Sequence, residues 1–172
     1  RLPFTVRTFV GMGRYPYAGP FGAAHADDQA AIDGALERTG TTRLAARIID
    51  TLSGGERQKV FIAAALAQGA DVLLLDEPTA FLDYRHQAEV ATLLHALNED
   101  CGATVVSVTH DVNAARLSGG HVLALRAGAV AWQGEAAALM DAARLETIFG
   151  ASFRFLDDPA TGVRLVAPQE SL

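Results

Sequence analysis

The sequence predicts an α/β protein: a parallel sheet with flanking helices, a helical region before it and β-hairpins after it. Three observations carry this. Val72-Leu73-Leu74-Leu75 and Ala103-Thr104-Val105-Val106-Ser107-Val108 are continuous apolar runs, the pattern of strands buried on both faces of a parallel sheet. Between them, residues 84–99 place Val90, Leu93, Leu94 and Leu97 at helical spacing, which completes a right-handed β-α-β unit. Beyond residue 120 the apolar runs are short and broken by turn residues.

The elements follow in order. Thr5 to Arg14 reads as a short helix with Val6, Phe9 and Val10 on one face and Thr5 as its cap. Tyr15-Pro16-Tyr17-Ala18-Gly19-Pro20-Phe21-Gly22 reads as a stiff aromatic loop. Residues 27–38 open with acids and carry Ile32, Ala35 and Leu36 at helical spacing, with Gly40 as the stop. A helical turn near residues 44–47 leads into Thr51-Leu52-Ser53-Gly54-Gly55, and residues 56–68 form an apolar helix stopped by Gly69. After the β-α-β unit, Asp111 caps a further helix, and Leu117-Ser118-Gly119-Gly120 ends it. Residues 122–126 and 130–133 flank Ala127-Gly128-Ala129 as a hairpin. Residues 139–149 read as one helix, and residues 153–156 and 163–166 as a second hairpin.

Composition excludes several functions. The chain has 172 residues, 14 Lys+Arg against 20 Asp+Glu for a net charge of −6, and 50% hydrophobic residues. That is too apolar for a disordered tail and too acidic for a general nucleic-acid binder. Its single cysteine, Cys101, excludes a disulfide scaffold and reads as a structural thiol. No apolar run approaches the ~18 residues that cross a bilayer.

Four segments can carry chemistry. Ser53-Gly54-Gly55 opens a helix, where backbone N–H groups and the helix dipole favour an anion and the missing Cβ atoms let a phosphate approach. Ser53 and Glu56 also have the spacing of a capping box. Asp76 and Glu77 end a strand at the edge where open α/β sheets place ligands. One carboxylate can hold a hard cation while the other orients or deprotonates a water; an ordinary acidic turn is the other reading. Pro78 is expected to keep Glu77 extended. His110 ends the neighbouring strand and can donate to a phosphate or a water, or stand solvated beside Asp111. Asp83 reads as the cap of the helix that starts at Tyr84. His25, His86, His95 and His121 lack metal-ligand spacing and read as surface or loop residues. Trp132, Tyr15 and Tyr17 read only weakly as a stacking platform, given the net charge.

The order Leu52-Ser53-Gly54-Gly55-Glu56-Arg57-Gln58, Val72-Leu73-Leu74-Leu75-Asp76-Glu77-Pro78-Thr79, Phe81-Leu82-Asp83 and Thr109-His110-Asp111 resembles the ATP-binding cassette ATPase family over nearly the whole chain. In family terms these look like the signature motif, Walker B with its catalytic glutamate, the D-loop and the switch histidine. The resemblance implies a partial RecA-like P-loop NTPase core. Residues 1–68 are the helical subdomain with the signature, residues 69–172 the C-terminal part of the core, and together they form one incomplete nucleotide-binding domain. It implies ATP and Mg²⁺ as cofactors. Asp76 would hold Mg²⁺ through water, Glu77 would be the general base, and His110 would touch the γ-phosphate. Ser53, Gly54 and Gly55, with Gln58 nearby, would clamp the ATP of a second ATPase subunit, and Asp83 would cross the interface between the two. The implied partners are transmembrane permease subunits, with a substrate-binding protein engaged indirectly and no nucleic acid. The implied location is the cytoplasmic face of the membrane, as a peripheral subunit.

Phe4-Thr5-Val6-Arg7, Gly13-Arg14-Tyr15-Pro16 and Thr79-Ala80-Phe81-Leu82-Asp83 with Arg85-His86-Gln87 look like the ATPases of importers for iron chelates, haem or cobalamin. One departure stands out. A P-loop needs Gly-Lys followed by Ser or Thr, and the only lysine, Lys59, lies in the signature helix. The chain is therefore expected to be the C-terminal portion of a longer ATPase, inactive alone, with an open sheet edge at Val72. Two alternatives are a non-transport ATPase of the same family and a non-catalytic module that donates its signature face to a complete partner.

Overall fold

A computed structural model describes residues 3–17 and 26–169. Residues 18–22 of the aromatic loop and His25 lie outside the described residues. The chain divides into two compact units, Arg1–Val108 and Thr109–Leu172.

The first unit begins with three helices. α1 (Val6–Met12) is capped by Thr5, whose hydroxyl accepts the Thr8 N–H. α2 (Ala26–Arg38) carries Asp27 and Asp28 in its first turn, and Gly40, at φ +64°, takes the chain out of it. The helical turn expected near 44–47 is a 3₁₀ turn at Thr42–Leu44, with a second at Ile49–Thr51. α3 (Gly54–Ala67) follows. Val6, Val10, Ile32, Leu36, Leu44, Ile49, Val60, Ala63 and Ala67 form one buried cluster between these helices. Removing a side chain such as Leu36 from water contributes about 1.5–3 kcal/mol.

The end of α3 is closed by groups from far away in the chain. Arg14 Nη1 donates to the Ala67 carbonyl at 3.0 Å, and the Tyr17 hydroxyl donates to the Gln68 carbonyl at 2.7 Å. These satisfy carbonyls that a helix end leaves unpaired. The Arg14 guanidinium lies 3.8 Å from the Tyr17 ring centroid, and its Nε holds Asp28 at 2.9 Å. Gly13 lets α1 come this close: a Cβ there would sit 2.4 Å from the Ala64 carbonyl oxygen.

β1 (Val72–Asp76), α4 (Tyr84–Glu99) and β2 (Thr104–Val108) form the expected parallel unit, with Leu74 opposite Val106 and Asp76 opposite Val108. Asn98 Nδ2 donates to the Ala103 carbonyl at 2.8 Å and closes the α4–β2 connection. A second cluster, Ile62, Leu73, Val90, Leu97 and Ala103, joins α3, β1 and α4. α3 thus serves two cores, which accounts for its nearly all-round apolar sequence. Burial on both faces of the strands does not hold. Leu73 is buried, but Val72, Leu74, Val106 and Val108 are 47%, 76%, 47% and 59% exposed. Side chains alternate along a strand, and only the Leu73 face meets the helices. β1 and β2 pair only with each other among the described residues.

The second unit starts with α5 (Val112–Leu117), capped by Asp111, and leaves it through Gly119 and Gly120 at φ +71° and +69°. β3 (His121–Arg126) and β4 (Ala129–Glu135) form the first hairpin, turning at Ala127 and Gly128, both at positive φ. The helix expected over 139–149 is instead a 3₁₀ turn, Ala136–Leu139, and then α6, Ala142–Phe149. The Asp141 side chain accepts the Arg144 N–H and starts a new helix there. β5 (Phe153–Asp157) and β6 (Arg164–Pro168) form the second hairpin. Leu139, Met140, Leu145, Ile148 and Val166 make this unit's core. Asn113 ties α5 to β6 by exchanging two bonds with the Val166 backbone, both at 2.9 Å.

Candidate functional site

The Ser-Gly-Gly turn folds as a capping box. The Glu56 N–H donates to Ser53 Oγ at 3.2 Å, and the Ser53 N–H donates to Glu56 Oε2 at 3.1 Å. The Ser53 N–H, its hydroxyl, and Arg47 and Arg43 hold the Glu56 carboxyl below its ordinary range. The first i to i−4 bond of α3 runs from the Arg57 N–H to the Ser53 carbonyl at 2.9 Å. The Gly54 and Gly55 N–H groups precede it, in the turn where a helix has no intrahelical acceptors. Cap and anion site are therefore not exclusive: the cap uses the Ser53 oxygen and leaves the glycine amides at the positive helix end. Gln58 is half-buried one turn further along α3.

Asp76 and Glu77 stand at the carboxyl end of β1. Asp76 is exposed, on the strand face that carries Leu74, and Glu77 is half-buried. The Glu77 N–H donates to the Val108 carbonyl at 2.9 Å, which extends the ladder one residue past the strand. Glu77 is not extended, as the following proline suggested, but sits at φ +45°. This left-handed conformation is uncommon for a residue with a Cβ. It turns the chain sharply off the sheet, and the Ala80 N–H closes the turn on the Glu77 carbonyl at 3.1 Å. His110 is the second residue of the second unit, two residues past Val108 and immediately before the cap Asp111.

Asp83 caps α4 as expected, accepting the His86 N–H at 2.9 Å. It does more: His86 Nδ1 lies 2.8 Å from both carboxylate oxygens. The His86 backbone N–H first, then its ring, hold the Asp83 carboxyl below its ordinary range. His86 is thus no plain surface residue, and sequence spacing alone does not reveal its packing. Lys59 also acquires a partner, pairing with Glu89 of α4. Arg85 Nε reaches the same carboxylate at 3.0 Å, and Lys59 and Arg85 together lower the Glu89 pKa. Phe81 and Tyr84, either side of the Leu82-Asp83 turn, are almost fully exposed, and Phe81 has φ +61°.

Other readings change. Cys101 is a free, exposed thiol. Trp132 carries the Arg144 guanidinium 4.7 Å from its ring centroid. No group of three or more His, Cys, Asp or Glu suited to hold a metal occurs among the described residues.

A parallel β-α-β unit with two acids at its carboxyl end, packed on a capped Ser-Gly-Gly helix, defines a protein of the α/β class. Residues 4–80 match the ABC transporter family. The chain is 42% identical to the ferric enterobactin transport ATP-binding protein FepC of Escherichia coli (strain K12) over 164 residues, 95% of this chain and 60% of FepC. It is 43% identical to the iron(3+)-hydroxamate import ATP-binding protein FhuC of Bacillus subtilis (strain 168), over 91% of this chain and 58% of FhuC. A metal-chelate type ABC transporter solved in an inward-facing conformation superposes with a TM-score of 0.90 at 29% identity, over 98% of this chain and 67% of the solved one. The chain is thus similar, over nearly its whole length, to the ATP-binding subunits of ABC transporters. It spans about 60% of the length of the curated relatives it matches.

Proposed function

We propose that this chain is part of the ATP-binding and ATP-hydrolysing subunit of an importer for iron-siderophore, haem or cobalamin. Residues 1–68 act as its signature-bearing helical part and residues 69–172 as part of its ATPase core. The observation that carries this reading is the strand end: Asp76 opposite Val108, and the Glu77 turn hydrogen-bonded to the Val108 carbonyl. That places the two acids at a shared sheet edge, where α/β sheets bind ligands. The relatives' roles in siderophore transport point to the solute class.

In this reading Glu77, in the left-handed turn that ends β1, takes the proton of the attacking water. His110 donates to the γ-phosphate. Asp76 would hold Mg²⁺ through water. Asp76, exposed at the end of β1, would offer such an ion one carboxylate, a hard oxygen ligand. Bound Mg²⁺ supplies charge neutralisation to the phosphates. The Gly54 and Gly55 amides, with Ser53 and Gln58, clamp the ATP of a second subunit. The exposed Phe81 and Tyr84 beside Asp83 suit that subunit interface. Permease subunits in the membrane are the other partners, with a substrate-binding protein engaged through them. No helix among the described residues is long and apolar enough to cross a membrane, in keeping with a peripheral subunit on its cytoplasmic face.

The sequence holds no Gly-Lys-Ser/Thr loop, so the triphosphate cradle is expected from outside it. The test is Glu77→Gln in the complete cassette, read by phosphate release and by nucleotide binding. Turnover should fall at least about a hundredfold, as for loss of a general base, while nucleotide still binds. Parental turnover in the variant would remove Glu77 from this role.

A further inference from the structure

Nothing assigns a role to His86, yet it occupies a space that only glycine leaves. A Cβ built on the buried Gly55 would lie 2.1 Å from His86 Cδ2, 2.4 Å from Cγ and 2.8 Å from Cβ. The imidazole therefore lies directly on the α3 backbone at the signature turn. Its other edge is held by Asp83, 2.8 Å from Nδ1 to each carboxylate oxygen. An ionised carboxylate only accepts hydrogen bonds, so Nδ1 carries the proton. Clamped between a backbone and a carboxylate, the ring has little rotational freedom. The neighbours repeat the link: a Cβ on Gly54 would stand 3.4 Å from Leu82 Cδ2, and Lys59 pairs with Glu89 one turn further along both helices.

We propose that His86 is a positioning residue that fastens the Ser53-Gly54-Gly55 turn of α3 to the Leu82-Asp83 turn of α4, so that the two turns hold their groups as one unit. The use of that unit at a nucleotide rests on the function proposed above; the fastening does not. Each turn lies at the start of its own helix, and neither the cap at Ser53 nor the cap at Asp83 needs the other. The imidazole is the group that packs on one and is hydrogen-bonded to the other.

The experiment is nuclear magnetic resonance on this 172-residue chain without nucleotide, so its result is separate from that of the ATPase test. In the parent, the His86 nitrogen shifts should report a protonated Nδ1, and the Gly55 Hα signals should show the ring-current shift of an overlying ring. His86→Ala should remove that shift and speed amide exchange at Gly54–Glu56 by about tenfold, the sign of a locally loosened turn. His86→Phe should keep the ring-current shift. Asp83→Asn should change the His86 nitrogen shifts. Gly55 signals that are the same in the parent and in His86→Ala would overturn the proposal. A second measurement covers poorly folding variants. Gly55→Ala should lower the melting temperature strongly in the parent and far less in the His86→Ala background, since neighbours that share a space are not additive. Equal losses in both backgrounds would also overturn it.

Discussion

Two parts of the first unit treat their apolar residues in opposite ways. Between α1, α2 and α3, Val6, Val10, Leu36, Ile49 and Val60 are completely buried. In β1 and β2, equally apolar residues such as Leu74 and Val108 stand 76% and 59% exposed. A helix has one apolar stripe and is satisfied by neighbours on one side. A strand of a parallel sheet has two faces and two edges, and α3 and α4 cover one face only. The difference teaches where this segment is self-sufficient: its helical part completes its own core, while its sheet presents an apolar face of the kind that marks an interaction surface. Asp76 lies on that uncovered face.

The largest expected effect tests this contrast directly. Leu36→Ala should destabilise the chain by about 3 kcal/mol, as for a buried leucine that leaves a cavity. Leu74→Ala should stay within about 0.5 kcal/mol. Both are read by urea denaturation, and comparable losses would break the contrast. A somewhat smaller effect sharpens it. Arg14→Ala takes away one ion-pair partner of Asp28 and a donor to the Ala67 carbonyl in the helical part. The side chains of this pair are 15% and 10% exposed, so about 2 kcal/mol is expected from the loss of a largely buried, charge-assisted hydrogen bond. A loss near zero would mean that the helical core does not depend on this junction.

The smallest effect concerns acid. The folded-state pKa of Glu56 is lowered, chiefly by the Ser53 N–H. Its contribution is fully present above the unfolded glutamate value and is lost as pH falls through the lower folded value. Glu56→Gln should therefore cost stability at neutral pH and converge with the parent in acid. A constant difference between the two at every pH would exclude the capping carboxylate as the source.

Much of the site was legible because its chemistry is local. Ser53 with Glu56, Asp83 before Tyr84 and Asp111 before Val112 each place an oxygen within three residues of the N–H it accepts. These three helix starts are observed as read, whereas the start of α6 at Asp141 was not. The strand run ending at Asp76 was equally plain. Glu77 was misread for a tertiary reason. Proline disfavours a helical residue before it, but the bond from the Glu77 N–H to Val108 and the turn back to Ala80 hold a left-handed one instead. His86 was misread because no pattern along the chain tells that a ring thirty-one residues on will lie against Gly55. Likewise, Arg14 and Tyr17 reach the end of α3 from more than fifty residues before it.

By itself, the sequence determined the capped starts of α1, α3, α4 and α5, the order of the elements, and the order of the motifs that carry the family resemblance. Those depend on side chains bonding backbone within a turn and on apolar spacing along one element. Only the tertiary structure decided which strand face is covered, how Glu77 leaves the sheet, and that His86 joins the two turns. Each of these depends on a distant element arriving at a given spot, and the free energy of that arrival is written in no single stretch of chain.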